Sequence, residues 1–460
     1  MAAPTTETSP LLATAWSALG GDERLLELVE VTGESAGLLP STLAARPAML
    51  AAVSASTLAA AALDAARRAA PPPRAQVDAE HVAVAAVSER HAREEGVADE
   101  PELFAPLSRF WRAADGWVRL HGNYPWHRER ALRVLGCEHR PEAIAEAIGA
   151  WRAADLEDAL AAAGALGYAV RDRDEWLRHP QGRAVAGLPL VEWTAGTGDG
   201  RPLGPGRVAQ GVRVLDLTRV IAGPVATRTL AAWGAQVLRV DSPRLPELRA
   251  GAIDMLSGKR SALLDLAEPA GRARLHELLA EADVVVQGYR PGALARYGLA
   301  ARDLTERYPR LTVVTLSAWG TAGPWAQRRG FDSLVQCPTG IAVAEGDGRR
   351  PGALPAQVLD HATGYLAAAA ALLSLAGVQR GEPPRSVWLS LAQTAEWLWR
   401  AGVREREPAR AVSPDRHLVR LTGADRPVTV VAPPGRLADH VPGWRATTAW
   451  GADRPAFLDA

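Results

Sequence analysis

Asp360 stands immediately before a long apolar run in LPAQVLDHATGYLAAAAALL, residues 354–373. A carboxylate there has two uses. It can cap a helix by accepting N–H groups of the first turn, which contributes about 0.5–2 kcal/mol. It can also be a nucleophile that the helix holds in place. The two are compatible, because a helix N-terminus favours negative charge and would keep the carboxylate ionised. The remaining candidates are cationic, aromatic or backbone groups. Ile221-Ala222-Gly223-Pro224 mark a strand-to-helix turn whose free N–H groups would face a phosphate or an adenine, or which simply turns tightly. Lys259, the single lysine of the chain, adjoins Arg260 in SGKRS (257–261), a compact pair suited to a phosphate or a solvated loop. Tyr289, Arg290 and Arg296 in GYRPGALARYGL (288–299) offer a ring to stack on a purine and guanidiniums to pair with phosphate. The plain alternative is a surface turn closed by Pro-Gly. Together they describe a site for a long, anionic, adenine-bearing ligand. Neither GxGxxG nor a Walker lysine pattern occurs, so the usual dinucleotide and nucleoside triphosphate signatures are missing.

These residues need elements to position them. From Val212 onward strand and helix patterns alternate. VRVLDL (212–217), AQVLRVD (235–241), SALLDL (261–266), DVVVQGY (283–289) and LTVVTLSAW (311–319) read as strands. PVATRTLAAWG (224–234), PAGRARLHELLAEA (269–282), PGALARYGL and ARDLTERYP read as helical. Such alternation predicts an α/β fold, a Rossmann-like and mostly parallel sheet with flanking helices, whose ligands bind beyond the carboxyl ends of the strands. The first two hundred residues differ. Alanine-rich helical segments (41–70 and 141–164) flank FWRAADGWVRLHGNYPWH (110–127), where Asp115-Gly116 predicts a hairpin turn. The glycine- and proline-rich stretch 194–210 is the best linker. The expected organisation is a degenerate helical half-repeat over 1–100, a small α+β domain over 101–193, the linker 194–210, the Rossmann-like strand-helix domain over 211–402, and a connection and tail over 403–460. The half-repeat rests on a weak internal similarity between 39–77 and 354–388, which places Ala45 opposite Asp360 when aligned from Leu-Pro.

Composition narrows the classes. The 52 basic and 52 acidic residues cancel, so nothing draws the whole chain to nucleic acid or to an anionic membrane. Cys137 and Cys337 are far apart and support neither a disulfide framework nor a metal site, which fits a reducing cytoplasm. No signal peptide or unbroken membrane span is expected, and the alanine-rich runs read as buried helices.

Four of the segments above, VRVLDLTRVIAGPVATRTLAAWGAQVLRVD, SGKRSALLDL with its continuation to ARYGL, GFDSLVQCPTGIA and LDHATGYLAAAAALLSL, resemble in order the successive signatures of the family III CoA-transferases. That group includes formyl-CoA transferase and the carnitine CoA-transferases. The resemblance implies acyl-CoA and a carboxylic acid as substrates, with coenzyme A as substrate and no permanently bound cofactor or metal. It implies that Asp360 is the catalytic aspartate, attacking the thioester to give a mixed anhydride and then an enzyme-CoA thioester, with an oxyanion held by backbone N–H groups around Gly364. Lys259, Arg260, Tyr289, Arg290, Arg296 and the turn 221–224 would hold CoA. His361 reads as structural. The segments FWRAADGWVRLHGN and 164–193 are similar to the family's small domain, which here precedes the strand-helix domain. The family also implies a homodimer, or a rearranged chain that supplies the equivalent contacts internally. The runner-up, an acyl-CoA racemase, pairs an aspartate with the histidine of a Gly-His-Asp motif, and Phe331 stands in that histidine's place. A non-catalytic CoA-binding subunit is the third reading.

Overall fold

The computed structural model describes residues 9–97 and 103–458. After a helix at Pro10–Ala18 comes a parallel β-α-β unit, β1 (Val29–Thr32), helix α1 (Ala45–Arg68) and β2 (Ala75–Asp78), so the first segment is not purely helical. The small α+β unit follows. Strands β3 (Phe110–Arg112) and β4 (Trp117–Leu120) pair antiparallel across Asp115-Gly116, as the turn residues predict, and β5 (Gly167–Ala169) adds to β4. Helix α2 (Pro125–Leu135) packs on this sheet with a core of its own around Leu120, Ile148 and Leu156.

The main sheet is built from β6 (Glu192–Ala195), β7 (Arg213–Leu217), β8 (Gln236–Asp241), β9 (Lys259–Leu263), β10 (Val284–Gln287), β11 (Thr312–Ser317) and β12 (Arg385–Ser390). Helices α3 (Ala222–Ala232), α4 (Pro269–Glu281), α5 (Val358–Gln379) and α6 (Leu391–Arg400) accompany it. The spatial order is β9-β8-β7-β10-β11-β12-β6, parallel except for β6. This is the expected α/β sheet, and its β-branched runs are buried on both faces as parallel strands require. Alternation sorts the side chains. Val214, Val284, Val286 and Val314 join the core beneath α3 and α5, while Leu215, Leu217, Val285 and Val313 join the core beneath α4. Strand order reverses between β7 and β10, which makes their carboxyl ends the crevice where a ligand fits.

Several boundaries shift. The third strand starts at Lys259, two residues before the expected Ser261, because it pairs in register with Val237–Asp241. Thr194 and Ala195, assigned to the linker, form the end of β6 against β12. The tail after 403 returns to the front of the chain. Strand 428–431 pairs with 93–94, and 436–437 pairs with β2. Helices α1 and α5 are long and apolar enough to cross a membrane, yet 83% and 94% of their most apolar windows are buried inside the protein. They pack on one another as core helices. Ala45 is the first residue of α1 and Asp360 the third of α5, so helical register sets Pro47, rather than Ala45, opposite Asp360.

Candidate active site

Helix α5 begins at Val358, after Gln357, and Asp360 lies in its first turn instead of at its cap. The capping carboxylate is another residue. Asp332, from the short helix that follows Phe331, accepts the Asp360 backbone N–H at 3.0 Å. The Gln336 amide donates to the second oxygen of Asp332, and Gln336 Oε1 accepts the Leu354 N–H at 2.9 Å. The start of α5 is thus tied to the 332–336 turn on both sides, which fixes Asp360 in direction. Burial pushes the Asp332 carboxyl up to about 6, although the N–H of Asp360 and the Gln336 amide pull it down.

Asp360 is 5% exposed. Burial raises its carboxyl well above the usual range, and the charges of Asp332 and Glu89 raise it further. Burial and the two neighbouring carboxylates therefore oppose the expectation that the helix N-terminus keeps Asp360 ionised. His361 is fully buried, as a structural role requires, with Nε2 3.2 Å from Glu89 Oε2. Burial raises Glu89 too, but the His361 hydrogen bond and charge outweigh it and hold the carboxyl below its ordinary value. Glu89 comes from the first hundred residues, which reach the site because Ser88 Oγ donates to Asp254 Oδ2 at 2.7 Å and accepts from Arg228 of α3 at 2.9 Å. Sequence reasoning missed both Asp332 and Glu89. Asp332 had a signal, since it lies in the GFDSL segment already singled out at Phe331. Glu89 had none, because tertiary packing alone brings it in.

Gly364 is one turn further along α5, where the helix crosses α3. A Cβ there would lie 2.5 Å from the Ala222 carbonyl oxygen and 2.8 Å from Val225 Cβ. Its N–H points back along the helix interior toward residue 360, so the oxyanion role is corrected to one of close helix packing. Asp360 lies about one helical turn, roughly 5.4 Å along α5, from that contact with the start of α3. The turn leading there holds Val220 at φ +70°. That left-handed geometry is an outlier for a β-branched residue and costs on the order of 1–3 kcal/mol. Ala222, Gly223 and Pro224 are buried, with Thr218 filling the space a Gly223 side chain would need, and Ile221 is half-buried. The segment is a tight turn, and Ile221 is the residue of the four left at the surface.

Tyr289, Arg290 and Arg296 lie on the loop after β10, on the other side of the crevice. Tyr289 packs partly against the core beneath α4, while Arg290 and Arg296 are exposed, with the Arg296 guanidinium 4.7 Å from the Tyr297 ring centroid. Lys259 and Arg260 are elsewhere, at the amino end of edge strand β9. The Lys259 side chain is wholly buried, 2.9 Å from Asp216 Oδ2 and 2.6 Å from Thr227 Oγ1. Arg260 holds the tail through Asp453 at 3.1 Å and the Ala456 carbonyl at 2.5 Å. Both were expected to hold a phosphate, and both are consumed by internal partners.

The small unit closes the crevice. Its HGNYPWH loop lays His121 against Phe331 with ring centroids 4.3 Å apart, and the Tyr124 hydroxyl donates to Glu247 at 2.6 Å. Glu247 pairs with Arg219, beside Val220, at 3.2 Å and with Arg239 at 2.5 Å. Among the described residues no group of three His, Cys, Asp or Glu is placed to hold a metal ion.

Comparison with known proteins agrees with this geometry in kind. Residues 209–418 match the profile of CoA-transferase family III. An acyl-CoA transferase of Gibberella moniliformis is 31% identical over 297 residues, 59% of this chain and 52% of that protein. The human succinyl-CoA:glutarate CoA-transferase is 33% identical over 216 residues, 42% of this chain and 49% of its own length. The crystal structure of a CaiB/BaiF family protein from Brucella suis is 24% identical, covers 48% of this chain and 64% of that one, and superposes with a TM-score of 0.38. The chain spans about half the length of these curated relatives.

Proposed function

Residues 209–418 belong to CoA-transferase family III, and from that premise we propose that this protein moves CoA from an acyl-CoA to a carboxylic acid, with Asp360 as nucleophile. The observation that carries the reading is the placement of Asp360: a carboxylate in the first turn of a buried helix, held by Asp332 and set beside the crevice between β7 and β10. In the proposed sequence an Asp360 oxygen attacks the thioester carbonyl and the CoA thiolate leaves, giving a mixed anhydride. The thiolate then attacks the aspartyl carbonyl, releasing the first acid and forming an enzyme thioester. The acceptor carboxylate attacks that thioester, and returning CoA takes the new acyl group and frees Asp360. The CoA thioester enters as substrate. Because burial favours the neutral acid, Asp360 must give up a proton before it attacks. Asp332 and the Glu89–His361 pair are the groups that set the cost of that loss.

The test is chemical. The protein incubated with an acyl-CoA and hydroxylamine should yield a hydroxamate on the peptide containing Asp360, seen by mass spectrometry, and Asp360→Ala should end CoA exchange. Exchange that persists in Asp360→Ala would overturn the reading. One observation favours a second reading, α-proton exchange on an acyl-CoA. Although Phe331 removes the histidine of the racemase motif, the His121 ring lies against Phe331, and burial, then the charges of His127 and Arg119, push it down to about 3. At that value the imidazole is neutral but a weak base, which counts against its abstracting an α-proton. Solvent deuterium at the α-carbon without an acceptor acid would favour that reading.

A further inference from the structure

Two of the buried arginines in this chain are matched to acids. Arg228 pairs with Asp254 at 2.6 Å, and Arg239 pairs with both Asp241 and Glu247. A less buried group beside the crevice has no such match. Arg130 of α2 donates to the Gly164 carbonyl at 3.3 Å. A Cβ built on Gly164 would lie 3.0 Å from Arg130 Nη1 and 3.4 Å from Arg329 Nη1, so two guanidiniums flank one glycine. Arg290 is close enough that its charge, after burial and together with that of Arg130, lowers the Arg329 guanidinium. Neighbouring Arg328 has an acid, Asp158 at 2.6 Å, whereas among the described residues no carboxylate pairs with Arg130, Arg290 or Arg329. His127, in the first turn of α2, is 7% exposed and its Nδ1 is buried without a partner. Burial, followed by the charges of Arg329, Arg130 and Arg219, pushes it down to about 3, so it is a neutral ring among cations.

Half-buried Arg130 and Arg329 repel one another and exposed Arg290 without a counterion, and an oxyanion among them relieves that repulsion. We infer that Arg130, Arg329 and Arg290, with the His127 ring, form an oxyanion site between the small unit and the loop after β10. The guest is a phosphate of CoA or the far carboxylate of a dicarboxylic acid substrate. The identity of the guest rests on the CoA-transfer reading; the site itself rests on the arginines.

The experiment uses the full chain and an Arg130→Ala/Arg329→Ala double variant. Calorimetry with CoA, 3′-dephospho-CoA and pantetheine is joined to steady-state assays with succinate and butyrate as acceptors. For a phosphate guest the ratio of CoA to pantetheine affinity falls about 10-fold or more in the double variant, the weight of roughly 1.4 kcal/mol. If the phosphate is the 3′ group, wild-type protein loses the same factor on dephospho-CoA. For a carboxylate guest the ratio of succinate KM to butyrate KM rises about 10-fold instead. The proposal is overturned if neither ratio moves. Should the double variant fail to fold, single Arg130→Gln and Arg329→Gln proteins give the same ratios. A hydroxamate on Asp360 in a variant with unmoved ratios would leave the transfer reading standing while this site falls. Absence of the hydroxamate from wild type, with the affinity ratio still shifting, would do the reverse.

Discussion

Helices α1 and α5 are near equals in length and burial, and each leads into a strand parallel to the one before it. Their first turns are opposites. The first turn of α1 carries no acid, and its third residue, Pro47, has no N–H to offer a capping group. The first turn of α5 carries Asp360, with Asp332 and Glu89 close by and His361 beside it, all nearly or wholly buried. Packing alone is satisfied by the α1 arrangement, so the acids of α5 are not there for stability. Burial and the charges of Asp332 and Glu89 raise the Asp360 carboxyl, and a fold carries that cost where chemistry uses it. The acid that α1 does bury, Asp64 near its other end, is met by Arg207 at 2.7 Å.

That contrast can be broken from either side. Asp360→Asn keeps the shape and removes the charge, so CoA transfer should drop by about 10³-fold or more while the melting temperature rises. Calorimetry beside the exchange assay measures both, and a fall in melting temperature would mean that the carboxylate serves packing after all. The reverse graft, Ala45→Asp, sets an acid in the first turn of α1 where the native side chain is fully buried. It should cost about 3 kcal/mol or more by urea denaturation and confer no hydroxamate. A smaller effect comes from the seventh residue of each helix. Gly364→Ala meets the Ala222 carbonyl at 2.5 Å and should destabilise by about 1–3 kcal/mol. Ala51→Gly in α1 should cost about 1 kcal/mol, the ordinary propensity difference.

The sheet and the candidate nucleophile could be read because each is written locally. VVVQ and TVVTLS are continuous β-branched runs, and Asp360 is a carboxylate against an apolar helix. The environment of Asp360 was not legible. Asp332 and Glu89 lie 28 and 271 residues away in sequence, and the sign of the Asp360 shift depends on them. Lys259 misled for the same reason. Beside Arg260 it has the composition of a phosphate site, but its partner is the Asp216 carboxylate two strands across the sheet, and no local pattern announces a buried ion pair. Gly364 had the right neighbourhood and the wrong chemistry, since what it supplies is the lack of a side chain where α5 meets α3.

The subtlest difference between the two helices is in their response to pH. Folded Asp360 has its carboxyl raised by burial and by Asp332 and Glu89, whereas in the unfolded chain it returns to the ordinary value near 3.9. Between those two values the folded state holds a proton that the unfolded state has lost. Unfolding free energy therefore falls as pH rises through that window, by at most about 1.4 kcal/mol per pH unit. The contribution is complete below the unfolded value and gone above the folded one. Asp332, raised to about 6, acts in the same direction. Asp360→Asn should flatten the slope, and Ala51→Gly in α1 should leave it unchanged. Over the same window hydroxamate formation should climb with pH, because the attacking species is the ionised acid. A stability slope that survives in Asp360→Asn would assign the proton to Asp332 alone, leave Asp360 ionised in the resting protein, and remove the electrostatic distinction between the two helices.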